Sequence, residues 1–302
     1  MIDKAFFELN PDRSVIAVSG PDRVEFLQGL VSNDTKRIGA TQAIFAALLS
    51  PQGKFAYDLL LAAEGERILV DAEAARRGEL LKRLKMFKLR SQVTLEDLDS
   101  DYVVVTLFGG DTLQRLGLDA KAGDTKPLGG GIVFTDPRLP DLGARAFLPR
   151  ATFAETLQGL GFAAAPAGTF KAHRYALGLP EGSTDLQPDK AIPLECGFDE
   201  LNGVDWQKGC YMGQELTART KYRGLVRKRL LPIRFDGAPL AVGTDLLLDG
   251  KEVGDIRAVD GDHGLALLRL EYLDAILSKG IENDGTRITA SVPAWMKLPE
   301  MA

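Results

Sequence analysis

The chain has 302 residues, of which 45% are hydrophobic and 26% charged, and these ordinary globular proportions exclude disordered and fibrous classes. This length is sufficient for two domains, because single hydrophobic cores usually stop growing at roughly 250 to 300 residues. Its 37 basic and 42 acidic residues give a formal net charge of −5, which excludes a molecule-wide positive field that would attract nucleic acid or an anionic membrane.

Short β-rich runs alternate with amphipathic stretches over the first 160 residues. The first pair predicts a strand at 15–18 and a helix over 21–31, with Pro21 in its first turn. We predict further strands at 44–49, 55–62, 67–71, 93–98 and 102–108. A shift of 89 positions aligns residues 20–27 with 109–116, and each segment follows an apolar β run. This alignment indicates two related α+β halves.

From about residue 226 the pattern changes to β runs separated by turn-forming pairs. The runs cover 229–235, 244–248, 252–259 and 264–270, and Asp-Gly pairs occur at 236–237, 249–250 and 260–261. Asp-Gly between apolar runs is a strong hairpin signal. We therefore predict two domains, 1–225 and 226–302, of which the second is a small barrel-like β domain.

The two cysteines and the chain's N-terminal sequence bear on the cellular compartment. Cys196 and Cys210 are too few for a disulfide framework, so we interpret both as reduced thiols. The first residues show neither a secretory signal nor a transit-peptide pattern, and no run approaches the 18 apolar residues of a membrane span. These observations predict a cytoplasmic protein that does not enter a membrane.

A cysteine between two glycines is the strongest candidate for chemistry. Gly209 and Gly213 flank Cys210 and allow the backbone to turn tightly or to approach a ligand. Residues 214–219 read as the first turns of a helix, so the thiol lies near a helix N-terminus and beside Lys208. Both features favour the thiolate. The alternative is that Cys210 is a small buried hydrophobe.

Metal ligation is not predicted for this chain. The spacing of the cysteines matches neither C-x-x-C nor a zinc pattern, and only His173 and His263 are available as further soft ligands. We therefore expect no metal site built by the protein alone, and we assign no role to His173.

The run LNGVDWQKGCYMGQE at 201–215 resembles the signature of the YgfZ family. That family comprises folate-binding proteins of iron–sulfur cluster assembly and repair, related in fold to the glycine-cleavage aminomethyltransferase (T-protein). The signature residues present in this chain are Lys208, Gly209, Cys210, Tyr211, Gly213, Gln214 and Glu215, with Arg219 following in the same predicted helix. Further matching segments occur in the family's order at 26–29, 33–34, 49–54, 87–90, 174–180 and 253–255.

The resemblance implies an α+β fold with two interlocked α+β subdomains that form a folate-binding core, plus a small C-terminal β-barrel domain. It implies tetrahydrofolate or a derivative as cofactor, and iron–sulfur cluster assembly or client proteins, including tRNA-modifying enzymes, as partners. The chain would be an accessory factor rather than an ordinary enzyme, with Cys210 as essential thiol and Lys208 beside it. The alternative is a folate-dependent aminomethyltransferase or demethylase of the T-protein type.

Two carboxylates match positions that the T-protein relatives use. Glu195 resembles the glutamate that holds the pterin ring, and a carboxylate can accept parallel hydrogen bonds from a ring N–H and an amino group. Without the resemblance, Glu195 would read as a surface or capping acid. Asp58 falls where T-proteins carry a pair of aspartates, but Tyr57 occupies one of those positions, which weakens the case for aminomethyl transfer.

A basic run follows the signature. Its members are Arg219, Lys221, Arg223, Arg227, Lys228 and Arg229. As ligands for this run we consider the carboxylates of the glutamate tail of folate, for which Arg227 is the assigned contact, and an RNA phosphate backbone. The interpretation that we favour over both is a helix end followed by a strand with one solvated face.

Overall fold

A computed structural model describes residues 4–298 of the chain, and these residues form three sheets and eight short α-helices. The strands are β1 (Phe6–Leu9), β2 (Arg13–Ser19), β3 (Ile44–Leu49), β4 (Phe55–Glu64), β5 (Arg67–Glu73), β6 (Thr94–Asp97), β7 (Tyr102–Phe108), β8 (Thr125–Leu128), β9 (Gly131–Thr135), β10 (Ala144–Pro149), β11 (Ala163–Ala164), β12 (Lys228–Asp236), β13 (Asp245–Leu248), β14 (Lys251–Asp260), β15 (His263–Arg269), β16 (Ile281–Asn283) and β17 (Thr286–Ala290). The helices are α1 (Arg23–Gln28), α2 (Arg77–Lys88), α3 (Thr112–Leu116), α4 (Phe153–Gly159), α5 (Thr169–Ala176), α6 (Gly182–Asp185), α7 (Gln214–Tyr222) and α8 (Leu273–Lys279). Across the described range, every helix is too short or too polar to cross a bilayer.

The chain divides into two compact units that alternate along the sequence. The first contains the chain up to Leu49, Ala56–Phe170 and Leu201–Met212. The second contains Ser50–Phe55, Lys171–Glu200 and the chain from Gly213 onward. The domain boundary at residues 225 and 226 stays a prediction, because compact units defined by contacts need not coincide with folding domains.

The first unit contains two sheets with related local structure. One sheet has the order β11-β1-β7-β10-β9-β8 and the other β3-β4-β5-β2-β6. Strands β2 and β7 are each followed by a glycine with positive φ, Gly20 (φ +103°) and Gly109 (φ +77°), and then by α1 and α3 respectively. The strand–turn–helix unit that the 89-residue shift indicates therefore occurs at both places.

A buried ion-pair network links the strands of the first unit. Arg13 Nε donates to Asp71 Oδ1 at 2.6 Å and Arg13 Nη1 to Asp58 Oδ1 at 3.0 Å, while Arg145 Nη1 donates to Asp71 Oδ2 at 2.6 Å. All four side chains are buried. These contacts give each of the four buried ions a partner of opposite charge.

The third sheet lies in the second unit and is a nearly closed barrel. Its order is β13-β14-β15-β12-β17-β16, and the side-chain amide of Asn283 in β16 donates to the backbone carbonyl of Asp245 in β13 at 3.3 Å. This bond joins the two edge strands across the gap. The predicted α+β class and the C-terminal barrel are both confirmed.

Turn chemistry explains most of the barrel's hairpins. Asp249 (φ +51°) and Gly250 (φ +77°) connect β13 to β14, as two left-handed residues in a tight hairpin require, and the pair at 260–261 begins the turn from β14 to β15. The pair at 236–237 does not form the predicted hairpin, because β12 pairs with β15 and β17 instead.

Candidate functional site

The ammonium of Lys208 is bound by three backbone carbonyls. Its Nζ donates to Gln28 O at 2.7 Å, to Val31 O at 2.5 Å and to Asn33 O at 2.9 Å, and all four residues belong to the first unit. Helix α1 ends at Gln28 instead of continuing to residue 31 as predicted, and the carbonyls beyond it turn toward this lysine. We call this arrangement the Lys208 clamp.

Two further hydrogen bonds fix the chain on either side of Cys210. The Gln28 side-chain amide donates to Lys208 O at 3.3 Å, and Met212 N donates to Gly29 O at 3.2 Å. Residues 208–212 are therefore joined to residues 28–33 at both ends, with Cys210 between the anchors.

Cys210 itself is exposed. Gly209 before it has φ +92°, and a Cβ placed on that glycine would meet no described atom within 4 Å. Tyr211 after it is buried, and the Lys208 ammonium lies 5.1 Å from the centre of its ring. The sulfur is thus presented at an open turn between two anchored residues, and Cys210 is not a core residue.

The Lys208 ammonium is partly buried, and this affects its pKa. Burial lowers the pKa of the Lys208 ammonium to about 8, while the carboxylates of Asp34 and Asp205 oppose this shift. An ammonium has three N–H donors, and the clamp uses all three. The N–H groups of Lys208 are therefore directed at the backbone of residues 28–33, and the effect of its positive charge on the Cys210 thiol stays a prediction.

The rest of the signature begins α7 in the second unit. Gly213 (φ +79°) is the N-cap, and a Cβ on Gly53 would lie 2.6 Å from the Gly213 carbonyl oxygen, so this close approach requires glycine at position 53. Gln214 opens the helix, and Glu215 and Arg219 form an exposed ion pair at 3.5 Å. Such a pair contributes little to stability.

Glu195 lines a cavity in the second unit. It lies in the 3₁₀ turn Pro193–Cys196, and the cavity of about 180 Å³ is also lined by Gln187, Lys190 and Arg257. Burial raises the pKa of the Glu195 carboxyl, although Lys228, Lys54 and Arg257 oppose the shift. Typical pockets for whole ligands measure about 300–1,000 Å³, so this cavity suits a ring system rather than an entire folate molecule. The sequence offers no signal for its other lining residues.

The second cysteine contrasts with the first. Cys196 is buried, lines the same cavity as Glu195, and burial raises the pKa of its thiol to about 12. A thiol in this state is protonated and inert at neutral pH, which agrees with a packing role.

The other predicted site residues are dispersed. Asp58 belongs to the first unit, where its carboxylate accepts from Arg13, whereas Glu195 belongs to the second unit. Arg227 is exposed, but Arg229 is buried, donates to Leu194 O at 2.8 Å and pairs with Glu200. Part of the basic run is therefore structural. Within residues 4–298, no group of three or more His, Cys, Asp or Glu side chains could hold a metal ion.

Comparison with known proteins gives consistent matches over most of the chain. A family model described as the C-terminal β-barrel domain of CAF17 matches residues 227–298. The mitochondrial iron–sulfur cluster assembly factor IBA57 of Homo sapiens is 34% identical over 309 residues, which cover 94% of this chain and 83% of the relative. The homologue of Mycosarcoma maydis is 36% identical over 244 residues, which cover 74% of this chain and 56% of the relative.

A solved structure gives the fold. The glycine cleavage system aminomethyltransferase T from Bartonella henselae superposes with a TM-score of 0.77 at 17% identity, covering 98% of this chain and 87% of the other. At this identity the match shows a shared fold alone, which agrees with the T-protein-like architecture implied by the signature.

The names of the relatives correct one expectation. The proteins from Homo sapiens, Mus musculus, Mycosarcoma maydis and Neurospora crassa are all named mitochondrial. The cytoplasmic address predicted from the sequence is therefore wrong. The composition of the chain and its two reduced cysteines do not distinguish one reducing compartment from another.

Proposed function

Because the chain belongs to the IBA57 family of iron–sulfur cluster assembly factors, we propose that it assists the assembly or repair of iron–sulfur clusters with Cys210 as its essential thiol. The observation that supports the role of Cys210 is its exposure at a turn whose two ends are hydrogen-bonded to residues 28–33. An inert structural cysteine would be buried, as Cys196 is.

The chemistry of a thiol suits this role. A thiolate is both a nucleophile and the usual ligand of iron–sulfur clusters, which generally take four protein ligands. Since residues 4–298 contain no cluster of three metal-binding side chains, Cys210 would supply one ligand and a partner protein the others. The cluster is then cargo shared between two proteins.

We further propose that folate binds with its pterin ring in the Glu195 cavity. The T-protein-like fold supports folate binding, and the cavity offers a carboxylate together with Gln187 and Arg257 for the polar edge of a ring. The exposed Arg227 would meet the carboxylates of the folate tail. Asp58 is the weaker candidate for a folate contact, because Arg13 already uses its carboxylate in the buried network.

Substituting glutamine for Glu195 should weaken tetrahydrofolate binding by about 1.5–3 kcal/mol, the value of a charge-assisted hydrogen bond. Isothermal titration of the purified protein measures this as a Kd increase of about tenfold or more. Because burial raises the pKa of Glu195, affinity in the wild type should fall as pH decreases through that pKa, and Glu195→Gln should lack this dependence.

The matched control is Glu252→Gln, which changes an exposed glutamate of the same unit. It should bind tetrahydrofolate as the wild type does. Equal affinity of wild type and Glu195→Gln would place the pterin site elsewhere.

The finer resemblance of the signature to the YgfZ family extends the proposal to cluster repair and to tRNA-modifying enzymes as clients.

The alternative function is one-carbon transfer from a methylamine, which needs a carboxylate that can accept and release a proton. The Arg13–Asp58 ion pair and Tyr57 in place of a second aspartate count against it. Formation of formaldehyde or methylene-tetrahydrofolate that disappears in Asp58→Asn would reverse this ranking.

A further inference from the structure

The geometry around Lys208 differs from that of a lysine that only tunes a neighbouring thiol. Such a lysine would direct an N–H toward the sulfur or toward solvent. Here the three N–H groups are directed at carbonyls from one short segment, those of Gln28, Val31 and Asn33. The carbonyl of Gln28 belongs to the last residue of α1, where backbone acceptors lack helical partners, and those of Val31 and Asn33 follow the helix.

A compact ammonium is suited to three converging acceptors. The planar guanidinium of arginine spreads its donors in a fixed fork and cannot direct three of them at acceptors around a single point. An apolar side chain would leave the three carbonyls without this donor, and the two N–H groups of a glutamine amide could serve at most two of them. The site therefore requires lysine for its shape as well as for its charge.

The clamp acts on both sides of Cys210. Gln28, which accepts from Lys208 through its carbonyl, returns a bond from its side-chain amide to Lys208 O, and Gly29 O accepts from Met212 N. The turn between these anchors contains Gly209 with φ +92°, which would otherwise be free to adopt other conformations. Fixing both ends removes that freedom.

We infer that Lys208 is a positioning residue, whose ammonium fixes residues 208–212 on residues 28–33 so that the Cys210 thiol is held at one orientation for a partner-bound cluster. The inference rests on the proposed function of Cys210. Lys208 then fixes the position of the thiol, and the thiol alone contacts the cluster.

The test compares Lys208→Met, which keeps the unbranched stem, with Lys208→Arg, which keeps the charge. Lys36→Met is the control, because Lys36 is an exposed lysine of the same unit whose ion pair with Glu25 is also exposed. Amide exchange of Met212 reports the anchor directly. In a Cys196→Ala background, a nitroxide attached to Cys210 reports the mobility of the turn by electron paramagnetic resonance.

In both Lys208 variants the hydrogen exchange rate of the Met212 amide should rise at least tenfold. The electron paramagnetic resonance lines of the nitroxide should become narrower, because the turn is more mobile. The control should behave as the wild type in both measurements. Both should also lose most of their ability to restore iron–sulfur enzyme activity in a deletion strain, with a melting temperature that shows an intact fold. If Lys208→Met does not fold, Lys208→Gln replaces it with the same expected result.

Wild-type exchange in Lys208→Met, or wild-type behaviour of Lys208→Arg, would overturn the inference, the latter by showing that charge alone suffices. Fast exchange with full restoration of activity would overturn it as well. Failure of the proposed function is a separate result, because Cys210→Ser would then restore activity while the exchange measurements still report on the clamp.

Discussion

Cys210→Ser is expected to fail to restore iron–sulfur enzyme activity in a strain from which the gene is deleted. The activity should equal that of the deletion strain carrying an empty vector. Serine has nearly the same size, so the exposed turn and the fold should be preserved. A serine hydroxyl does not ionise near neutral pH and cannot replace a thiolate as nucleophile or cluster ligand. The measurement is the activity of an iron–sulfur enzyme in cells that express each variant at equal level.

The chain provides its own control for this experiment. Cys196→Ala removes the other thiol, which is buried and has a pKa raised to about 12. It should restore activity fully, with at most a modest loss of stability from the small cavity. Full activity in Cys210→Ser, at the protein level of the wild type, would remove the thiol from the mechanism.

Arg145→Met is expected to lower the free energy of unfolding by about 3–5 kcal/mol, the largest stability effect that we anticipate. The substitution removes one of the two guanidinium groups that donate to the buried Asp71 carboxylate and leaves the contact from Arg13. Chemical denaturation measures the change. Lys36→Met, which removes an exposed ion pair, should alter the free energy by less than about 0.5 kcal/mol.

A second substitution separates the charge from the packing. The loss of stability in Arg145→Met is expected to come from the buried Asp71 carboxylate, which no longer has Arg145 as a partner. If so, the double variant Arg145→Met/Asp71→Leu should be less destabilised than Arg145→Met alone. A loss below about 1 kcal/mol for Arg145→Met would mean that the network is solvated or rearranges easily, contrary to its burial.

Local patterns predicted some of the buried strands. Strands β3 and β7 have the predicted bounds, because largely apolar runs are a local signal, whereas the buried strands β9 and β10 were not predicted. The helix after β2 was predicted too long. It ends at Gln28, whose carbonyl accepts from Lys208 180 positions later in the chain, and no local pattern records such a contact.

In the candidate site too, local features were predicted from the sequence and long-range contacts were not. The signature identified Cys210 and its glycines, whose exposure and φ values follow from local sequence. The role of Lys208 could not be predicted, because a lysine beside a cysteine has the same sequence whether its ammonium faces the sulfur or a set of distant carbonyls. Gln187, Lys190 and Arg257 were also missed, since Gln187 and Lys190 precede the turn of Glu195 whereas Arg257 comes from the distant strand β14.

The proposed function requires that the exposed thiol of Cys210 contacts an iron–sulfur cluster shared with a partner protein. Its most direct test is the rate at which iodoacetamide alkylates Cys210 in the presence of a cluster-loaded carrier protein or the same carrier without its cluster, followed by mass spectrometry. We predict that the loaded carrier slows alkylation of Cys210 at least tenfold and that the empty carrier does not. Equal alkylation rates with both carriers, under conditions in which the cluster leaves the carrier, would contradict the account.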